Sequence, residues 1–88
     1  MRTPIVAGNW KMNTTVHEAV ELTSAVVSKF NLARVGKTEV ILAPPAIHLY
    51  RLGELVANKV QINLSGQNCH QEESGAYTGE ISAAMLRS

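Results

Sequence analysis

The chain has 88 residues, 45% hydrophobic and 17% charged, which suits one small domain or one piece of a larger one. Its net charge of +1 comes from scattered lysines and arginines with no basic run, so nothing electrostatic points to nucleic acid or a membrane surface. One cysteine, Cys69, excludes an internal disulfide and fits a reducing compartment. No apolar run approaches the ~20 residues that span a bilayer. The start, Met1-Arg2-Thr3-Pro4, lacks the apolar stretch of a signal peptide. The expectation is a soluble cytoplasmic protein with no membrane partner.

The first strand is expected from about Thr3 to Gly8, running into Asn9-Trp10-Lys11-Met12-Asn13. In an extended backbone, alternation puts Asn9, Lys11 and Asn13 on one face and Trp10 and Met12 on the other. Three polar groups side by side, backed by an indole and a thioether, suit a binding floor at the carboxyl end of a strand. Thr15 and Glu18 have the spacing of a capping box. The helix they open is expected to reach Phe30. Val16, Ala19, Val20, Thr23, Val26, Val27 and Phe30 form its apolar stripe. Asn31 and Gly36 bracket its exit.

Glu39-Val40-Ile41-Leu42-Ala43 reads as a second strand, apolar enough to be covered on both faces. Pro44-Pro45 ends it, and Pro45 suits the first turn of the next helix. Ile47, Tyr50 and Leu55, with Leu49 and Leu52, are expected on that helix's buried side, and Gly53 weakens it. In the third strand, Val60 to Leu64, the residues Val60, Ile62 and Leu64 share a face. A long polar loop, Ser65 to Gly79, follows; such loops are usually functional or contact elements. Ser82 is a plausible N-cap for a last helix. Alternating strands and helices imply a parallel α/β sheet. Three strands leave two bare edges, so the chain looks like part of something larger and should associate or fold only partly when alone.

Ligands of parallel α/β proteins collect beyond the strand carboxyl ends, and an ammonium there suits a phosphate or a developing oxyanion. Lys11 is therefore a candidate anion site, with Asn9 as a neutral donor; the competing reading of Lys11 is a solvated loop cation. His17-Glu18-Ala19-Val20-Glu21 has glutamate where a zinc-protease pattern needs its second histidine. His48 is expected to be partly buried or solvent-facing. Cys69-His70 with Glu72-Glu73 falls short of four good metal ligands, and a polar loop is the favoured reading. Phosphate-loop glycine patterns are absent. Tyr77 either anchors a partner surface or folds back on its own domain.

Gly8-Asn9-Trp10-Lys11-Met12-Asn13, Ala43-Pro44-Pro45, Gly66-Gln67-Asn68 and the segment Ser74 to Ser82 resemble the triosephosphate isomerase family in order and spacing. That family is itself the type example of the (β/α)₈ barrel. The resemblance implies such a barrel, a TIM barrel, with residues 1–88 as the amino-terminal part of a single domain and its first three strand–helix units. It also implies interconversion of dihydroxyacetone phosphate and glyceraldehyde 3-phosphate without a cofactor, through an enediolate, in glycolysis and gluconeogenesis. Lys11 then matches a catalytic, substrate-binding lysine and Asn9 a substrate-binding asparagine. The family is typically a homodimer whose third loop enters the partner. The loop 69–80 matches it, with Gly75, Tyr77, Thr78 and Glu80 as interface residues. The family's histidine electrophile and glutamate base lie after its fourth and sixth strands, so the piece alone should not catalyse. Two non-catalytic readings compete: a docking module that uses loop 69–80, and a small-anion binder with only Asn9 and Lys11.

Overall fold

The structure, a computed structural model, describes residues 2–32 and 36–88. Three strands, β1 (Ile5–Asn9), β2 (Glu39–Ala43) and β3 (Ile62–Leu64), form one parallel sheet in the order β1-β2-β3. Parallel neighbours cannot be joined by a tight turn and need a crossover. The first crossover is helix α1 (Val16–Leu32); the second is a 3₁₀ turn (Ala46–His48) continuing into α2 (Leu49–Val56). A short helix, α3 (Ala83–Arg87), closes the described chain.

The register places Asn9 opposite Ala43, and Leu42 opposite Leu64, so the three strands end nearly level. Two backbone bonds carry the ladder one step further, from Trp10 N–H to the Ala43 carbonyl at 3.1 Å and from Ser65 N–H to the Leu42 carbonyl at 2.9 Å. At the opposite end the Gln61 amide donates to the Gly36 and Thr38 carbonyls at 2.8 and 2.9 Å, fixing where β2 begins.

The core lies on the helical side of the sheet. Leu42, Val56 and Ile62 form its buried centre, with Trp10, Val26, Val27, Phe30, Val40 and Leu64 packed around it. Ala19 and Thr23, one turn apart on α1, are fully buried, and α1 touches α2. The capping box forms as its spacing predicts. Thr15 N–H donates to Glu18 Oε1 at 2.9 Å, and Glu18 N–H donates to Thr15 Oγ1 at 3.3 Å. Ser82 caps α3 by accepting from Met85 N–H at 3.2 Å.

Several expectations need correction. β1 begins and ends later than Thr3 to Gly8, and β3 omits Val60, which is 88% exposed. β2 is only half-buried except at Leu42, because within these residues helices cover a single side of it. Pro45 precedes the 3₁₀ turn in an extended conformation rather than lying inside the first helical turn. The buried stripe of α2 is rotated from the expected one. Ile47 and Tyr50 face solvent, whereas His48, Leu52 and Val56, spaced four apart, are buried. The exit from α1 between Asn31 and Gly36 crosses residues 33–35, which lie outside the described residues.

Candidate active site at the carboxyl end of the sheet

Asn9 is the last residue of β1, and the chain turns sharply just after it. Lys11 has φ +59° and Thr14 has φ +78°, both in the left-handed region that side chains other than glycine rarely adopt. The expected alternation across Asn9, Lys11 and Asn13 therefore stops at Lys11. Asn9 Oδ1 accepts a hydrogen bond from the Lys11 backbone N–H at 2.9 Å, and Asn13 Nδ2 donates to the Trp10 carbonyl at 2.7 Å. Asn13 thus closes the turn instead of facing a ligand. Trp10 packs on the core as expected, but Met12 is 95% exposed and anchors nothing.

These bonds leave two groups uncommitted. Asn9 spends its carbonyl on the Lys11 amide, so its side-chain NH₂ stays available as a donor. The Lys11 side chain is exposed, and among the described residues no carboxylate pairs with it. A cation without a counter-ion and a neutral donor from the same strand end suit an anionic oxygen, which each can hydrogen-bond.

The turn is also held from a distance. Gln67, from the segment after β3, donates its side-chain amide to the Lys11 carbonyl at 2.9 Å and to the Ala43 carbonyl at 2.8 Å. One side chain thus ties the carboxyl ends of β1 and β2 to the third loop. In the sequence Gln67 stands out only as part of a motif; a partner 56 positions away leaves no local signal.

The third loop is differently made. Residues 71–80 are all exposed. Its ends are joined by a bond from His70 N–H to the Ile81 carbonyl at 2.8 Å, and Glu80 N–H donates to the Tyr77 carbonyl at 3.0 Å. The Tyr77 ring lies 4.3 Å from that of His70 and covers Gly75, yet remains 46% exposed. Gly75 has φ +132°, and a Cβ there would meet the Tyr77 ring at 2.9 Å. Tyr77 thus folds against its own loop and still offers a face to solvent. Thr78 and Glu80 stand exposed beside it, with no hydrogen bond to the Asn9–Thr15 turn among the described residues.

The other candidates separate from the site. His17 pairs with Glu21 along α1 at 2.6 Å. Cys69 is exposed, and its thiol lies 3.6 Å from the His70 carbonyl. His48 is 1% exposed, contrary to the expectation of a partly buried or solvent-facing ring. An apolar groove between α2 and α3, lined by Tyr50, Gly53, Leu64 and Leu86, contains none of the site residues. Glu18, hydrogen-bonded by Thr15 and close to His17, titrates below the ordinary glutamate range.

A three-stranded parallel sheet crossed by helices, with a polar turn at its carboxyl edge, defines the class: a unit of α/β barrel type. The family model described as triosephosphate isomerase matches residues 4–88. The triosephosphate isomerase of Prochlorococcus marinus is 45% identical over 87 residues, covering 98% of this chain and 35% of that protein. That of Clostridium botulinum is 49% identical over 86 residues, covering 98% of this chain and 33% of that protein. The crystal structure of the Bartonella henselae enzyme superposes with a TM-score of 0.75 at 36% identity, covering 98% of this chain and 34% of that one. The chain belongs to the triosephosphate isomerase family and carries the first three strand–helix units of its barrel fold. It spans about a third of the length of the curated relatives it matches.

Proposed function

We propose that residues 1–88 are the amino-terminal part of a single barrel domain in a longer protein that interconverts dihydroxyacetone phosphate and glyceraldehyde 3-phosphate. Lys11, held at φ +59° with its backbone N–H bonded to Asn9 Oδ1 and its exposed side chain paired with no carboxylate among the described residues, is the observation that carries this reading. Its ammonium meets the phosphorylated substrate and offsets the negative charge that develops on the substrate oxygens during proton transfer. The Asn9 amide donates to a substrate oxygen. The proton-transfer base and the carbonyl-polarising group come from later strands, so the chain contributes electrostatics and positioning rather than the proton acceptor. Strained backbone at such a site fits a group fixed before substrate arrives.

Loop 69–80 serves as the homodimer contact in this reading, with Gly75 and Tyr77 shaping its tip and Thr78 and Glu80 facing the partner. The cytoplasm is the setting, and glycolysis and gluconeogenesis use the reaction. The described helices include none long and apolar enough to cross a membrane.

The test is an isomerase assay in both directions on the longer protein and on the 88-residue chain. The longer protein is expected to turn over and the piece to be inactive. A longer protein that folds and binds a phosphorylated triose analogue without isomerising it contradicts the proposal.

A further inference from the structure

We infer that His48 is a positioning residue: its buried imidazole clamps the strained turn after β1 through the Thr14 carbonyl and so fixes where Lys11 stands. This deepens the function proposed above and rests on it for its meaning to substrate. Two non-glycine residues in one turn, Lys11 and Thr14, adopt positive φ. Threonine is the harder case, because its branched Cβ crowds the backbone there. Such conformations persist where the surroundings over-determine them.

Among the described residues, two side chains from distant parts of the chain bond to carbonyls of the turn. Gln67 takes the Lys11 carbonyl, and His48 Nε2 lies 2.8 Å from the Thr14 carbonyl. A carbonyl only accepts, so Nε2 carries the proton and donates. The His48 ring sits in the 3₁₀ turn after β2, in line with buried Leu52 and Val56, and that turn touches α1. It is therefore a rigid donor, 1% exposed, aimed at the more strained of the two residues. Nearby charged groups are engaged elsewhere: Glu18 with Thr15, His17 with Glu21, and Arg51 with Glu54 at 3.5 Å.

Glycine tolerates positive φ freely, so Thr14→Gly should make the turn independent of the clamp. The test is a double-mutant cycle in the longer protein, joining His48→Phe, which fills the space without a donor, to Thr14→Gly. Affinity for glycerol 3-phosphate, thermal midpoint and isomerase kcat and KM are read. His48→Phe is expected to weaken glycerol 3-phosphate about tenfold, with most of the loss recovered by His48→Gln or by adding Thr14→Gly. A lowered midpoint with affinity unchanged within about twofold would make His48 core filler and overturn the inference. An additive cycle overturns it too. If His48→Phe alone does not fold, a folded Thr14→Gly/His48→Phe protein supports the clamp, and loss of both contradicts it. A wild type that binds without isomerising removes the proposed function but leaves the binding cycle to decide the clamp; one that does neither leaves the thermal cycle to decide it.

Discussion

The turn after β1 and the loop after β3 leave the same edge of the sheet, yet they are built in opposite ways. Residues 10–15 are few, carry two positive-φ side chains, and are bonded by Asn9, Gln67 and His48 from three parts of the chain. Residues 71–80 are exposed throughout and hold their shape with their own contacts, chiefly His70 with Tyr77 and Glu80 with Tyr77. A turn fixed from outside can present one cation at one point. A loop stabilised only by itself can reach another surface without disturbing that point. The function proposed above gives the first the substrate-facing role and the second the docking role.

Lys11→Met should break this comparison hardest. It keeps the stem and removes the charge, so kcat/KM of the longer protein should fall by about 10²–10³ with the dimer intact. Next comes Gln67→Leu, which takes the donor from two carbonyls at once. It should destabilise the protein by about 1–2 kcal/mol in denaturant unfolding and lower activity, because the Lys11 turn loosens. Tyr77→Ala should act on the other element alone. Dimer dissociation measured by sedimentation should become about tenfold easier, while binding of glycerol 3-phosphate to the remaining dimer is unchanged.

Away from both loops the effects shrink. Thr23 is fully buried on α1, and its hydroxyl has no partner among the described residues. Thr23→Val should raise stability by about 0.5–1 kcal/mol, read as a higher unfolding midpoint. The smallest effect concerns Glu18. Its carboxyl is held below the ordinary range chiefly by its bonds with Thr15, so the capping box is intact above that range and is lost as pH falls through the lowered value. The Thr15 amide shift should therefore titrate at a pH below the ordinary glutamate range, and Glu18→Gln should abolish the titration.

What was legible in the sequence was what neighbours decide. Thr15 and Glu18 announce the start of α1 because both halves of the capping box lie within four residues. Glu39–Ala43 was readable end to end, because an apolar run stopped by two prolines has few alternatives. The phase of α2 was not readable. The extended Pro45 and the tighter 3₁₀ turn shift where the helix presents its side chains, so Tyr50 points outward and His48 takes a core position. The four-residue spacing of His48, Leu52 and Val56 could have shown this had a histidine been admitted to an apolar stripe. Asn9 and Lys11 stand out for their chemistry, but the turn that separates them from Asn13 was hidden. Its holders, Gln67 and His48, sit 56 and 34 positions away from the residues they grip.

The most direct measurement is a crystal structure of the longer protein soaked with glycerol 3-phosphate. We expect a ligand oxygen about 2.8 Å from Lys11 Nζ, another within hydrogen-bond reach of Asn9 Nδ2, and Lys11 still at positive φ. A ligand bound elsewhere, with Lys11 pointing into solvent away from it, would contradict this placement of the site.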